Sequence, residues 1–248
     1  MASSYLWHQF YLRGHQVIWG ILFFVLVTGL PNAQAQQKIK KINLSNHDDK
    51  SMHYGFHLSL NMAKFRLEHS QYYRDSVYRP DGSTIFSKGT PGFNIGFVLN
   101  KKITDYVDLR FLPGVGFYSR TLTYKDFEGV ESTQEFGITA AEFPLLFKLK
   151  SERRKNVRMY VVGGAKASVN VGNKKKGDAV TSLEINANDF AIEYGVGVDL
   201  FYPFFKFAPE IRFSNGLTNL RSPGNSLGAR SLDRVTTNTV TLYLFFEN

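Results

Sequence analysis

The sequence predicts an all-β chain, an eight-stranded antiparallel up-and-down transmembrane β-barrel with short periplasmic turns and longer extracellular loops. Three observations carry that reading. Apolar and polar residues alternate with period 2 in eight segments, the pattern of half-buried strands. Beyond the first 35 residues, no stretch keeps an apolar stripe at helical period or offers 18 uninterrupted apolar residues. In each segment one face is large and aromatic, while the other carries charges of both signs.

Residues 1–35 have the grammar of a cleaved secretory signal. Arg13 and His15 precede the apolar run "VIWGILFFVLVTGL", then come Pro31 and "AQAQQ", whose small-residue spacing predicts cleavage after Ala35. The run has 14 residues, short of the roughly 20 that a permanent helical anchor needs. Residues 36–52 read as a polar periplasmic lead-in rather than a folded element, and 53–248 as the barrel. The 248 residues contain no cysteine, which excludes a lipoprotein anchor, disulfides, thiolate metal sites and cysteine catalysis.

The strands are expected at 53–67, 92–100, 106–124, 131–150, 157–171, 188–202, 204–217 and 237–247. In the first, Tyr54, Phe56, Leu58, Leu60 and Met62 share a face opposite His57, Ser59 and Asn61. Phe93, Ile95, Phe97 and Leu99 align in the second, and Val107, Leu109 and Phe111 oppose Asp108 and Arg110 in the third. Phe143, Leu145, Phe147 and Leu149 oppose Glu142, Lys148 and Lys150 in the fourth. The pattern runs on through "VRMYVVGGAKASV", "IEYGVGVDLFY" and "FKFAPEIRFS" to "VTLYLFFEN", the expected closing strand, placed where the barrel-insertion machinery would read it.

The polar face decides the class of β protein. It carries Asp108, Arg110, Glu142, Lys148, Lys150, Arg158, Lys166, Glu193, Asp199, Lys206, Glu210 and Arg212, seven basic and five acidic residues. A soluble barrel would turn its apolar face inward. Here the balanced charges fit a narrow lumen that side chains just fill, with the aromatic face toward lipid. Unpaired ions in such a lumen would each cost several kcal/mol, so the twelve are expected to form a structural pairing network. The connections support the same topology. Most odd-numbered ones are long and the even-numbered ones short, as in outer-membrane barrels, which puts both termini on the periplasmic side. Tyr54 and Tyr202 then stand at periplasmic strand ends in an aromatic girdle.

Several stretches resemble a known family. "AAEFPLLFKLK" (140–150), "MYVVGGAKASV" (159–169) and "DFAIEYGVGVDLFYPFFKFAPEIRFSNGLTNL" (189–220) resemble the motifs of the small outer-membrane β-barrel family widespread in Bacteroidota. Within it, "NLSNHDDKSMHYGFHLSLNMAKFRL" (43–67), "PGFNIGFVLNKKITDYVDLRFLPGVGFYSRTL" (91–122) and "LRSPGNS" are similar to the PorT-like proteins. The resemblance implies a non-enzymatic role in assembly or support of the type IX protein secretion and gliding machinery, with other subunits of that machinery as partners. It brings no catalytic residues to carry over. A general small barrel that stabilises the envelope or binds surfaces is the alternative, followed by a barrel-embedded enzyme.

Other candidate sites are weaker. His53 and His57 stand four apart, ligand spacing on a helix but about 13 Å apart on a strand, so no metal and no cofactor is expected. "GNKKKGD" (172–178) lacks the Lys-Ser or Lys-Thr of a phosphate loop and reads as an outer loop tip, solvated or touching lipopolysaccharide phosphates. The basic turn in "KLKSERRKNVR" (148–158) is a candidate docking point for an acidic partner. Possible partner contacts are Tyr72, Tyr73, Arg74, Arg79 and Arg221 in the long loops, with Arg153, Arg154 and Lys155 in that turn. Outer-membrane lipid and lipopolysaccharide are the expected surroundings. The net charge of +9 is spread over loops and lumen with no reading helix, so nucleic acid is not an expected partner.

Overall fold

The computed structural model describes residues 42–77, 84–125, 131–172, 188–221 and 231–248. In chain order the elements are a 3-10 turn (Ser45–His47), β1 (Met52–His69), α1 (Gln71–Val77), β2 (Thr84–Phe86), β3 (Thr90–Lys102), β4 (Val107–Phe111) and β5 (Gly114–Lys125). Then follow β6 (Glu131–Lys150), β7 (Val157–Asn170), β8 (Asn188–Phe201), β9 (Lys206–Gly216) and β10 (Leu232–Glu247). Each consecutive pair from β5 onward is antiparallel, and β1 pairs with both β3 and β10, Gly55 standing opposite Val98 and Glu247. The sheet therefore closes on itself. Eight strand lines form the ring, because β4 and β5 are one line that pairs with β3 on one side and β6 on the other.

That line is interrupted at Leu112–Pro113 for lack of donors, not for lack of register. Phe97 N–H donates to the Pro113 carbonyl and Leu112 N–H to the Pro144 carbonyl, at 2.9 and 3.1 Å. Neither proline has an N–H to return, so the ladder loses a bond to each neighbour at the same level. The expected strand 106–124 is thus two strands with a proline break.

Three further boundaries differ from expectation. The last strand begins at Leu232, five residues early. The expected loop 68–91 holds α1, started by Ser70 Oγ accepting the Tyr73 N–H at 3.2 Å, and β2, which pairs with β5. The lead-in does fold: its described residues make the 3-10 turn and dock on the barrel.

Short connections at 103–106, 151–156 and 202–205 define one rim, called here the turn end, where residues 42–50 and Asn248 also lie; the opposite rim is the loop end. The outward wall is apolar, with Tyr54, Phe56, Leu58, Leu60 and Met62 of β1 and Phe143, Leu145, Phe147 and Leu149 of β6 all exposed. Inside, the loop end is filled by Phe65, Leu122, Leu220, Leu232 and Val235, with Leu67 and Phe136 packed against them.

One interior glycine is required by a close approach. A Cβ on Gly197 of β8 would stand 2.4 Å from Cζ and Oη of Tyr160. Tyr160 is buried and cannot swing away without leaving Lys148, whose Nζ lies 3.7 Å from its ring centroid. Gly197→Val is expected to overpack the lumen by about 1–3 kcal/mol or more and to deplete the compact band on an unheated denaturing gel.

Candidate functional site

Alternation brings all twelve predicted polar-face charges into the lumen, each buried. Each has an oppositely charged neighbour. One chain of contacts runs Glu142–Lys166–Glu193–Arg212–Glu210–Arg110–Glu247–Lys206, every contact no longer than 3.2 Å. A second joins Lys148 to Asp199 at 2.7 Å and Asp199 to Arg158 at 3.2 Å, and Lys150 pairs with Asp108 at 2.5 Å. Neutral groups add further donors, while among the described residues Arg110 Nε and Tyr160 Oη stay buried without a hydrogen-bond partner. Tyr118 Oη and Asn94 Nδ2 donate to Glu142, and Asn100 Nδ2 donates to Asp108 at 2.9 Å. Aromatic faces support the cations, with Arg110 lying 4.7 Å from the Phe245 ring centroid and Arg212 4.1 Å from that of Tyr243.

Glu247 was missing from the predicted set. It is buried, accepts from Arg110 at 3.0 Å and Lys206 at 2.7 Å, and belongs to the last strand. Without it Lys206 would have no carboxylate within ion-pair distance.

The turn end is closed by the lead-in. Asp48 reaches Arg158 at 2.8 Å and Arg153 at 3.5 Å, and its backbone carbonyl accepts from Lys102 Nζ at 2.8 Å. Asn43 donates its backbone N–H to Asn156 Oδ1 and its side-chain amide to the Phe201 carbonyl, both at 2.9 Å. Arg153 donates to the carbonyls of Asn43 and Leu44 and lies over the Phe201 ring. Beneath them His47 is buried, stacked on His53 at 3.8 Å and edge-on to Phe201 at 5.4 Å. Leu44 takes φ 48°, a left-handed conformation uncommon for leucine, which turns the chain into this mouth. The His47 ring and then the Arg158 guanidinium hold the Asp48 carboxyl well below the usual carboxylate range, while burial pushes His47 down.

The candidate docking turn is largely occupied. Lys148, Lys150 and Arg158 face the lumen and Arg153 clasps the lead-in, so the basic side chains left exposed are Arg154 and Lys155. At the loop end, Tyr72 and Arg74 are exposed on α1, whereas Tyr73 stacks on His69 at 4.2 Å and its hydroxyl accepts the Ile85 N–H. Arg221 is half-buried with its N–H on Asn219 Oδ1. Arg79 and the "NKKKGD" tip lie outside the described residues. His57 stands inside the barrel against Tyr243 and Phe245, and among the described residues no three His, Asp or Glu side chains converge on one point.

The model of a family described as "Outer membrane protein beta-barrel domain" matches residues 32–222. Among solved structures, the chain is similar to the outer membrane protein OprG from Pseudomonas aeruginosa at 8% identity and a TM-score of 0.45, covering 79% of this chain and 93% of that one. It is similar to Ail, the attachment invasion locus protein of Yersinia pestis, at 11% identity and a TM-score of 0.35, covering 80% and 100%. The N-terminal β-barrel domain of Pseudomonas aeruginosa OprF matches at 10% identity and a TM-score of 0.35, covering 77% and 97%. No curated protein matches the sequence.

Proposed function

The chain belongs to the outer-membrane β-barrel domain family, and from that premise we propose that it is a non-enzymatic component of the type IX secretion machinery, with both termini periplasmic, acting through its rims and outer wall rather than its lumen. The observation that carries the exclusion of a conduit is the filled interior. Paired charges occupy its middle, an apolar cluster its loop end and the lead-in its turn end. A protein substrate cannot pass without breaking the ion pairs. The non-enzymatic reading rests on the resemblance, which brings no catalytic residues to carry over. The periplasmic placement of the turn end is supported by its short connections and by Tyr202, Phe204 and Phe205, whose exposed rings suit a membrane interface. Type IX membership rests on the resemblance of residues 43–67 and 91–122 to the PorT-like proteins.

Deleting the gene and fractionating cells for type IX cargo tests the role. Cargo stranded in the periplasm, restored by the wild-type gene, is the expected result. Normal export would favour a general envelope-stabilising barrel instead. Orientation is tested separately, since the absence of native cysteine makes single-thiol labelling clean. Lys88→Cys should label in intact cells, and Glu152→Cys only after the outer membrane is permeabilised.

A further inference from the structure

The outward wall is not uniformly convex. Near the turn end it recedes into a trough of about 570 Å³ that spans five strands. Its outward side chains are aliphatic: Leu149 of β6, Met159 and Val161 of β7, Val196 of β8, Ile211 of β9 and Leu242 of β10, all exposed. Neighbouring parts of the wall carry rings instead, with Phe147 on β6 and the group of Phe205 in the 202–205 connection, Phe207 on β9 and Phe246 on β10. The short Val196 and Val198 make the floor, and the volume lies within the roughly 300–1,000 Å³ range of small-molecule pockets.

The trough meets the 151–156 hairpin at Ser151, whose N–H donates to the Met159 carbonyl and whose Oγ accepts the Met159 N–H. One rung beyond, Arg154 pairs with Val157 through both backbone bonds, and Lys155 forms the tip in a left-handed conformation at φ 60°. Arg154 and Lys155 are exposed, and among the described residues neither has a carboxylate within ion-pair distance. The Ser151 hydroxyl is itself engaged, donating to the Glu152 carbonyl at 3.2 Å, so the polar groups on offer are the two exposed cations. An apolar trough running up to two exposed cations matches one kind of molecule, an amphiphile with an anionic head.

We propose that this site holds one anionic phospholipid, its acyl chain in the trough and its phosphate against Arg154 and Lys155. The geometry suits a lipid better than a protein segment, because the trough is lined by outward aliphatic side chains of the wall while the cations stand at the rim. Juxtamembrane basic residues each strengthen attraction to an anionic headgroup severalfold, whereas an apolar trough alone would not discriminate headgroups. The proposal rests on the reading above that the turn end faces the phospholipid leaflet.

The test is native mass spectrometry of the full barrel in detergent, with phosphatidylglycerol and phosphatidylcholine of equal chain length added at equal concentration. A single phosphatidylglycerol adduct should be retained about tenfold over phosphatidylcholine. Arg154→Ser with Lys155→Ser should remove the preference while leaving the compact band of the folded barrel unchanged. Val196→Trp, which fills the trough from outside, should lower retention of both lipids. Equal retention of the two lipids by the native protein would overturn the proposal. So would a preference that survives both the double charge substitution and Val196→Trp, complete displacement by inorganic phosphate, or protein dimers in place of lipid adducts. The Glu152→Cys labelling reports orientation independently, so loss of lipid selectivity with normal labelling would count against the site and not against the topology.

Discussion

Arg110→Ala is expected to destabilise the barrel by about 3–5 kcal/mol, the range for breaking a buried charge network from one side. Arg110 is fully buried and divides its guanidinium between Glu210 and Glu247, which come from neighbouring strands, β9 and β10. Both glutamates keep another cation, Arg212 and Lys206, so the effect falls toward the lower end of that range. The lost charge leaves local excess negative charge among buried carboxylates. Arg110→Lys should fall between the two, since a single ammonium cannot reproduce the fork that serves two carboxylates at once. Urea titration of the protein refolded into vesicles, read by the compact band on unheated gels, measures both. An Arg110→Ala barrel within about 1 kcal/mol of the native one would mean that the network fills space without holding the strands in register.

The strands were readable from sequence where one rule applied throughout, apolar outward and polar inward. That rule holds across the middle of the barrel and fails at its ends. At the loop end the lumen itself is apolar, so Leu232 and Val235 are buried inside and the polar-inward signal of β10 starts only after them. In "VTLYLFFEN", alternation puts Thr241, Tyr243, Phe245 and Glu247 on one inward line, but only the closure of the barrel sets Glu247 against Arg110 and Lys206. The proline break was present in the sequence as Pro113 and Pro144, but only the register that puts them at one level gives it meaning. Least legible was the lead-in. Its polar composition reads as solvated chain, and what orders it is the arrangement of Arg153, Arg158, Lys102 and Phe201 from separate elements, which no local pattern encodes.

Asp48→Lys is expected to release the lead-in from the turn end. The substitution would set an ammonium against Arg153 and Arg158, where the native carboxylate pairs with both, and remove the neighbour of the buried His47. Arg158 would still hold Asp199, so the lumen chain inside should survive while residues 42–50 detach. Limited proteolysis of the folded barrel should then cut near Lys50 at least about tenfold faster, the change that a loss of roughly 1.4 kcal/mol in docking produces when opening precedes cleavage. The pH dependence separates charge from packing. A carboxyl whose folded value is depressed contributes stability that is complete above its ordinary range and is lost as pH falls through the folded value. Asp48 therefore keeps its charge at mildly acidic pH, and the native lead-in should stay protected until well below the pH at which ordinary carboxylates protonate. Asp48→Asn should instead show partial release already at neutral pH, because the amide accepts one hydrogen bond but presents no charge to two guanidinium groups. Equal protection of Asp48→Asn and native protein at neutral pH would assign the docking to Asn43, Arg153 and the His47–His53 stack alone, and leave Asp48 as a neutraliser of Arg158.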